Sequence, residues 1–458
     1  MKAACLILIT HYASCAYNAG TFSDSLPFLA YEVSMQDEEF DVLRVTGRVY
    51  GIISDRVRLS PPARGMGPGI DPIGIRAVDQ DGNDLDIEYG DGCWEIRSRG
   101  KDFSFTYDVV LTIEDRYTPE VRRMLSSLEP SRMRIIGRDV FLVPEGAFED
   151  GVLVDIGLGR PGEVRSSREC VNGRIIVPDK GGLGSTLAVS GDYRIHGFEV
   201  AGTRLELAVG GEWSFDDSEL LEVVRSLVWR EISWFGSSPH RKHLFICEEN
   251  PVRGSRGFDH YGVHFGGSIL LLLDRKMDRS HLYDTPMSIV AHEFFHNWNG
   301  ETIHGTGDDL IWFTEGATVY FSYIALTDVN ILSSEQYERR RELLRARYLE
   351  NPHLEGVSLS EAANTDLSDK DMVNLLYDGG FLAAEAIDSR IRELTGGGSG
   401  LIDVLKGLYL SDPDGVALDE EGLVRAIETH TGQDLSLFIR ELIGTPSPAL
   451  LTAADVSS

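Results

Sequence analysis

Residues 292–296 read His292-Glu293-Phe294-Phe295-His296, and Glu315 stands nineteen positions further on, inside Trp312-Phe313-Thr314-Glu315-Gly316. On a helix, positions i and i+4 share a face, so His292 and His296 can grip one metal ion side by side. Glu293 is carried to the edge of that face, within reach of a water on the metal. A glutamate from a second helix completes three protein ligands and leaves a tetrahedral zinc one open position. His292, His296 and Glu315 are therefore the candidate ligands of one Zn2+ ion, and Glu293 is the candidate general base.

The flanking residues agree with this placement. Asp284-Thr285-Pro286 is a helix start, with Pro at the first helical position, and Asn299-Gly300 is a stop. Phe294 and Phe295 suit a helix buried beneath a cleft. A second helix is expected after Asp308-Asp309, through Leu310 to about Leu326, gathering Ile311, Glu315, Thr318 and Ser322 on one side. A metzincin site is excluded by counting: its third His would fall on Thr302, and no Gly stands at 299. His304 reads as a loop histidine.

The zinc motif continues as Asn297-Trp298-Asn299, and Glu315 is followed by Gly316-Ala317-Thr318-Val319-Tyr320. Later come Leu376-Tyr377-Asp378-Gly379-Gly380-Phe381-Leu382 and a long helix ending Ile391-Arg392-Glu393-Leu394-Thr395-Gly396-Gly397. Near the start stands Phe28-Leu29-Ala30-Tyr31-Glu32-Val33-Ser34-Met35. Together these resemble the glycyl aminopeptidase family of gluzincin (thermolysin-like) zinc metallopeptidases, from about residue 28 to 445. The resemblance implies an α+β multidomain chain, with an N-terminal β-sandwich-like domain and then a thermolysin-like, mostly helical catalytic domain. It implies an aminopeptidase favouring small N-terminal residues such as Gly and Ala. It makes Tyr377 the residue that steadies the tetrahedral intermediate.

The chain departs from the family in three places. Related aminopeptidases carry a Gly-x-x-Glu-type segment before the zinc helix, whose Glu holds the substrate amine. Here the stretch Tyr261-Gly262-Val263-His264-Phe265-Gly266-Gly267-Ser268 holds no carboxylate, and His264 is read as standing in place of that Glu. After the tyrosine the family usually has Lys before Gly; here it is Gly379-Gly380. Many members end in a PDZ-like domain, and with few residues after Pro446 none is expected here.

Composition sets the bounds. The 458 residues are 42% hydrophobic and 25% charged, enough for two or three domains with ordinary cores. A net charge of −30 argues against nucleic acid or an anionic membrane as partner; the zinc motif and the family resemblance imply a peptide substrate. The sequence gives no oligomeric state. The five cysteines form no C-x-x-C pair, so no second metal site is read from them. Residues 1–20 hint at a short secretion signal, Ala3-Ala4-Cys5-Leu6-Ile7-Leu8-Ile9, interrupted by His11-Tyr12, so export and a cytoplasmic location both stay open.

Residues 21–208 read as a β domain. Short alternating runs occur at Phe40-Val45, Arg76-Val78, Trp94-Ile96, Phe103-Leu111, Val140-Leu142, Val152-Ile156, Arg174-Val177 and Leu205-Val209. Asp79–Asp86 resembles a calcium loop but lacks the closing Glu, and reads as a hairpin turn. Residues 209–458 read as the catalytic domain: a helix after Asp217-Ser218, short apolar strands at His243-Cys247 and Ser268-Leu273 (the latter a sheet edge), then helices over Glu335-Leu349, Asp371-Leu394, Leu401-Leu408, Glu420-Thr429 and Leu435-Leu442.

The leading reading is a zinc-dependent peptidase in which a Glu-activated, zinc-bound water attacks the peptide carbonyl. Tyr377 would donate a hydrogen bond to the oxyanion, while Asn297, Trp298 and Thr318 would fix the ligand helices. Two alternatives stand: a zinc endopeptidase or amide hydrolase, because His264 replaces the amine anchor, and a non-catalytic binding protein with a vestigial zinc site. The intact Glu293 counts against the last.

Overall fold

Leu43, Val45, Gly47 and Val49 alternate with Arg44, Thr46 and Arg48, and the first set is buried along the strand Val42–Tyr50. A period of two is what a half-buried antiparallel sheet requires. The computed structural model describes residues 28–35, 42–52, 54–61, 72–111, 125–145, 153–159, 163–177, 180–251, 260–307, 310–363, 369–413 and 415–444. The signal-like segment at 1–20, the Asp308-Asp309 helix start and the run after Gly444 lie outside the described residues. The chain divides into two units, Met1–Arg194 and Ile195–Ser458.

The first unit is β-rich. Its largest sheet has seven strands, in the order Glu169–Val171, Arg174–Val177, Leu153–Leu158, Phe28–Met35, Val42–Tyr50, Phe103–Val110 and Pro72–Asp79. Phe28–Met35 runs parallel to Leu153–Leu158 and antiparallel to Val42–Tyr50. Two four-stranded sheets accompany it. Leu29, Tyr31, Val33, Val45, Phe105 and Tyr107 form the heart of one apolar core. The Phe105 ring covers Gly47, where a Cβ would stand 2.2 Å from its Cζ. The Asp79–Asp86 stretch is a turn: Asp79 Oδ1 accepts from the backbone N–H groups of Asp81 and Asn83.

One run read as a strand is not one. Gly137–Val140 is a single helical turn, followed by extended Phe141. Gly137 lies against the Leu183 carbonyl, where a Cβ would meet the oxygen at 1.7 Å, and the Asp139 carboxylate accepts from the Ser126 N–H at 2.7 Å. These long-range contacts decide the local conformation over the β pattern of Val140-Leu142.

The second unit begins with strands β1 (Arg194–Val200), β2 (Thr203–Val209), β3 (Lys242–Glu249), β4 (Tyr261–Phe265) and β5 (Ser268–Leu273), ordered β1-β2-β3-β5-β4. Strands β2, β3 and β5 are parallel, and helix α1 (Asp217–Phe235) makes the crossover from β2 to β3. The division expected at residue 208 therefore falls earlier, between Arg194 and Ile195. Leu205-Val209 reads as β in either place; its pairing with β3 assigns it to the second sheet.

Strand β5 is buried throughout and is not the edge expected of it. The edge is β4, folded back antiparallel to β5 by Gly266 (φ 42°) and Gly267 (φ 79°). Both residues need the left-handed backbone of a two-residue hairpin turn, which glycine adopts without penalty.

Helices follow: α2 (Thr285–Phe295), α3 (Ile311–Asp328), α4 (Ser334–Leu349), α5 (Lys370–Leu394), α6 (Leu401–Ser411), α7 (Glu420–Thr431) and α8 (Ser436–Gly444). Side chains cap the starts of α4, α5 and α7. Ser333 and Gln336 form a capping box on α4, and Asp369 accepts from the N–H groups of Asp371 and Met372 on α5. His304 is not in a loop: it lies, exposed, on the short strand Ile303–Gly305 paired with Val416–Leu418. Among the described residues no helix is long and apolar enough to cross a membrane. Among the described residues, Cys93, Cys170 and Cys247 form no disulfide with one another.

Candidate metal centre

Helix α2 starts with Pro286 in its first turn, and His296 is its C-cap residue. Met287, Val290, Ala291, Phe294 and Phe295 bury one face, turning His292, Glu293 and His296 to the other. Behind this face the Trp298 ring stacks on Phe235, with centroids 4.5 Å apart at 5°.

Helix α3 brings Glu315 to the two histidines. Its Oε2 lies 3.2 Å from His292 Nε2 and 3.7 Å from His296 Nε2, and the two Nε2 atoms are 3.0 Å apart. One atom from each of the three residues falls within 4.8 Å of the others. Glu315 Oε2 is buried and makes no hydrogen bond. Two imidazole nitrogens and a carboxylate oxygen converging on one point, one of them unsatisfied, is an arrangement that a cation resolves. The donor set, two nitrogens and one oxygen, suits zinc.

The ligands are held from behind. His296 Nδ1 donates to the Asn299 carbonyl at 2.8 Å, which leaves Nε2 as the lone-pair nitrogen. The Asn299 side chain donates to the Phe313 and Thr314 carbonyls (3.3 and 3.0 Å) and to Thr318 Oγ1 (3.1 Å). Asn299 thus ties the end of α2 to the first turn of α3. The sequence marked this residue only as a helix stop. Thr318 donates back to the Thr314 carbonyl, in line with the supporting role expected of it.

Burial raises the Glu293 carboxyl and the Glu315 charge adds to this, against the pull of His292, His296 and the His264 backbone N–H. A carboxyl moved toward neutrality both takes and returns a proton readily. Strand β4 lies directly on this residue. A Cβ on Gly262 would meet Ile289 Cγ2 at 2.1 Å and Glu293 Cγ at 3.0 Å, so only glycine lets the strand approach.

Tyr377, on α5, places its ring 6.1 Å from the His292 ring at 19°. Burial first, then the Glu315 and Glu293 carboxylates, push its phenol well above the usual range. It is a neutral donor at working pH. The three candidate ligands, Glu293 and Tyr377 therefore gather at one place.

His264 is also there. Its Nε2 lies 3.2 Å from Asn297 Oδ1 and 3.3 Å from Glu301 Oε2, and burial foremost pulls its pKa down to about 4. Glu301, which sequence reading passed over, also meets His240 Nε2 at 2.9 Å. The missed signal was an acidic residue in the tail just after the second histidine.

Comparison with known proteins agrees with this geometry. Residues 245–441 match the Peptidase family M1 domain. This region is similar to the peptidase domain of family M1. Aminopeptidase N of Caulobacter vibrioides is 28% identical over 203 residues, which cover 43% of this chain and 22% of that protein. The chain thus spans about a fifth of the length of that curated relative. An aminopeptidase N family protein from Idiomarina loihiensis has a similar fold, with a TM-score of 0.76 at 19% identity over 93% of this chain and 78% of that one. An M1 zinc metallopeptidase from Deinococcus radiodurans gives a TM-score of 0.57 at 14% identity, over 92% and 94%. The same enzyme with a Tyr-Ser-Ala substrate gives 0.57 at 13%. These structures share the order of a β-rich domain followed by a helical one, the α+β class expected from the sequence.

Proposed function

We propose that the protein is a zinc-dependent peptidase, working as an aminopeptidase on peptides with small N-terminal residues. The observation that carries the reading is the convergence of His292, His296 and Glu315 with Glu293 beside them. A structural site needs no base next to its ligands. The preference for small residues rests on the resemblance to glycyl aminopeptidases.

Zinc held by the three residues supplies Lewis acidity, polarising a carbonyl and lowering the pKa of water toward ~7. Glu293 accepts the proton of the attacking water as its oxygen bonds to the carbonyl carbon. It then gives that proton to the amine nitrogen as the C–N bond breaks. The Tyr377 phenol donates to the carbonyl oxygen as that oxygen gains charge. Among the described residues strand β4 is the edge of its sheet, and an extended peptide adds beside it as a further strand.

The test is hydrolysis of Gly-, Ala- and Leu-anilides beside N-acetylated peptides, with and without a zinc chelator, and with Glu293→Gln. Chelator-sensitive release from free-amine Gly and Ala substrates, lost by at least ~10³-fold in the variant, is the expected result. His264 motivates a second reading: cleavage confined to blocked or internal bonds would make the protein an endopeptidase or amide hydrolase. Fully zinc-loaded protein that turns over neither set would end the peptidase reading.

A further inference from the structure

Beside the ligands and Tyr377, the side chains of His264, Asn297, His240 and Glu301 form one connected polar cluster. Their hydrogen bonds fix the protons. Asn297 Nδ2 donates to the Phe294 carbonyl at 2.6 Å, which turns its Oδ1 toward His264. His264 Nε2 must then carry the hydrogen, shared between Asn297 Oδ1 and Glu301 Oε2. His240 Nε2 reaches both Glu301 oxygens, at 2.9 and 3.0 Å, so it too is a donor. A buried imidazole that stays neutral orients Glu301 without cancelling its charge.

Glu301 sits close to the chemistry. Its backbone N–H donates to the His296 carbonyl at 3.0 Å, one turn past the second ligand. Its carboxylate touches the side chain of the same residue, His264, whose backbone N–H faces Glu293. One residue of the edge strand thus separates the base from a second carboxylate. The Glu301 side chain remains 33% exposed, which leaves it accessible to a ligand.

We propose that Glu301, oriented by His240 and His264, is a specificity-determining residue that receives a cationic group of the peptide beside the scissile bond. The two sources of that group are the free α-ammonium and a Lys or Arg side chain. A carboxylate held by charge-assisted bonds and partly shielded from water pairs with either. The net charge of −30 draws cationic peptides toward the protein as well. Read this way, the carboxylate missing from residues 261–268 comes from the turn that follows the zinc helix. The proposal rests on the peptidase reading, so its test has a binding arm that needs no turnover.

The protein is zinc-loaded throughout. In the first arm, wild type and Glu301→Gln are compared on Ala-anilide (α-ammonium only), acetyl-Lys-anilide (side-chain cation only) and acetyl-Ala-anilide (no cation). The expected result is a KM increase of at least tenfold for one of the cationic substrates, with kcat less affected. Any change on acetyl-Ala-anilide should be at least tenfold smaller, and the substrate affected identifies the source. In the second arm, Glu293→Gln and Glu293→Gln/Glu301→Gln are titrated calorimetrically with Ala-Ala-Ala, acetyl-Ala-Ala-Ala and acetyl-Lys-Ala-Ala. Affinity should fall at least tenfold on losing Glu301 for one of the two cationic peptides only. Equal losses on all substrates and peptides, or none, would overturn the proposal. Charge-selective binding without turnover by wild type would overturn the catalytic reading and leave the role of Glu301 standing.

Discussion

Gly316 and Gly380 meet backbone to backbone. A Cβ on Gly316 would stand 2.1 Å from the carbonyl carbon of Gly380, and one on Gly380 would stand 2.1 Å from the Trp312 carbonyl oxygen. Helices α3 and α5 approach this closely only because neither residue has a side chain. Glu315 immediately precedes one glycine and Tyr377 lies one turn before the other, so the contact sets the separation of the metal ligand from the phenol.

Gly380→Ala therefore forces the two helices apart. Overpacking at a backbone contact costs about 1–3 kcal/mol or more. The expected outcome is a lower denaturation midpoint together with reduced metal content after dialysis. A variant with unchanged midpoint and metal content would show that the helices adjust freely at this crossing.

Asn299→Ala keeps the carbonyl that receives His296 but loses three hydrogen bonds to α3. Loss of such supporting contacts weakens metal binding by about 10–100-fold. Competition with a chromogenic zinc chelator measures this. The α-helical circular dichroism should stay close to wild type, because both helices keep their own backbone bonds.

Tyr377→Phe removes a single hydroxyl from a packed ring. If the phenol meets charge that forms only during reaction, kcat falls by about 10²–10³-fold with little change in KM. An equal loss in metal binding would instead mark the tyrosine as a support for His292, against which its ring lies.

Glu231, on α1, is 0% exposed, and neither of its carboxylate oxygens has a hydrogen-bond partner among the described residues. Burial raises its carboxyl well above the ordinary glutamate value of 4.5, so the folded protein holds it neutral while the unfolded chain ionises it. Its contribution is complete below about pH 4.5 and is lost as pH rises toward the folded-state pKa. Glu231→Leu should raise the unfolding free energy measured by urea titration at pH 8 by about 1–3 kcal/mol, with the gain shrinking toward pH 4.5. A gain independent of pH would mean that the group is already charged when folded.

Much of this molecule is legible in its sequence. The helices from Ser334 onward match their expected spans to within a few residues, because their apolar residues recur with a period near 3.6 and α4, α5 and α7 carry their own caps. The ligand cluster was legible because His292 and His296 share a helix turn and Glu315 follows on the next helix. What escaped depends on distant partners. Leu205-Val209 is equally a strand in either unit until its pairing with β3 is known. Val140-Leu142 carries a β pattern, yet a glycine packed on Leu183 turns it. Glu301 meets His240 across 61 positions, a relation that no local pattern encodes.

Strand β4 has a consequence for what the protein leaves alone. A substrate that must continue a sheet has to arrive as a bare extended segment, with its own hydrogen-bonding groups unpaired. Bonds inside a helix, or in a strand already flanked on both sides, are never presented in that form. Under the proposed function, foldedness itself would protect neighbouring proteins, and the chains consumed would be those that have already lost their structure.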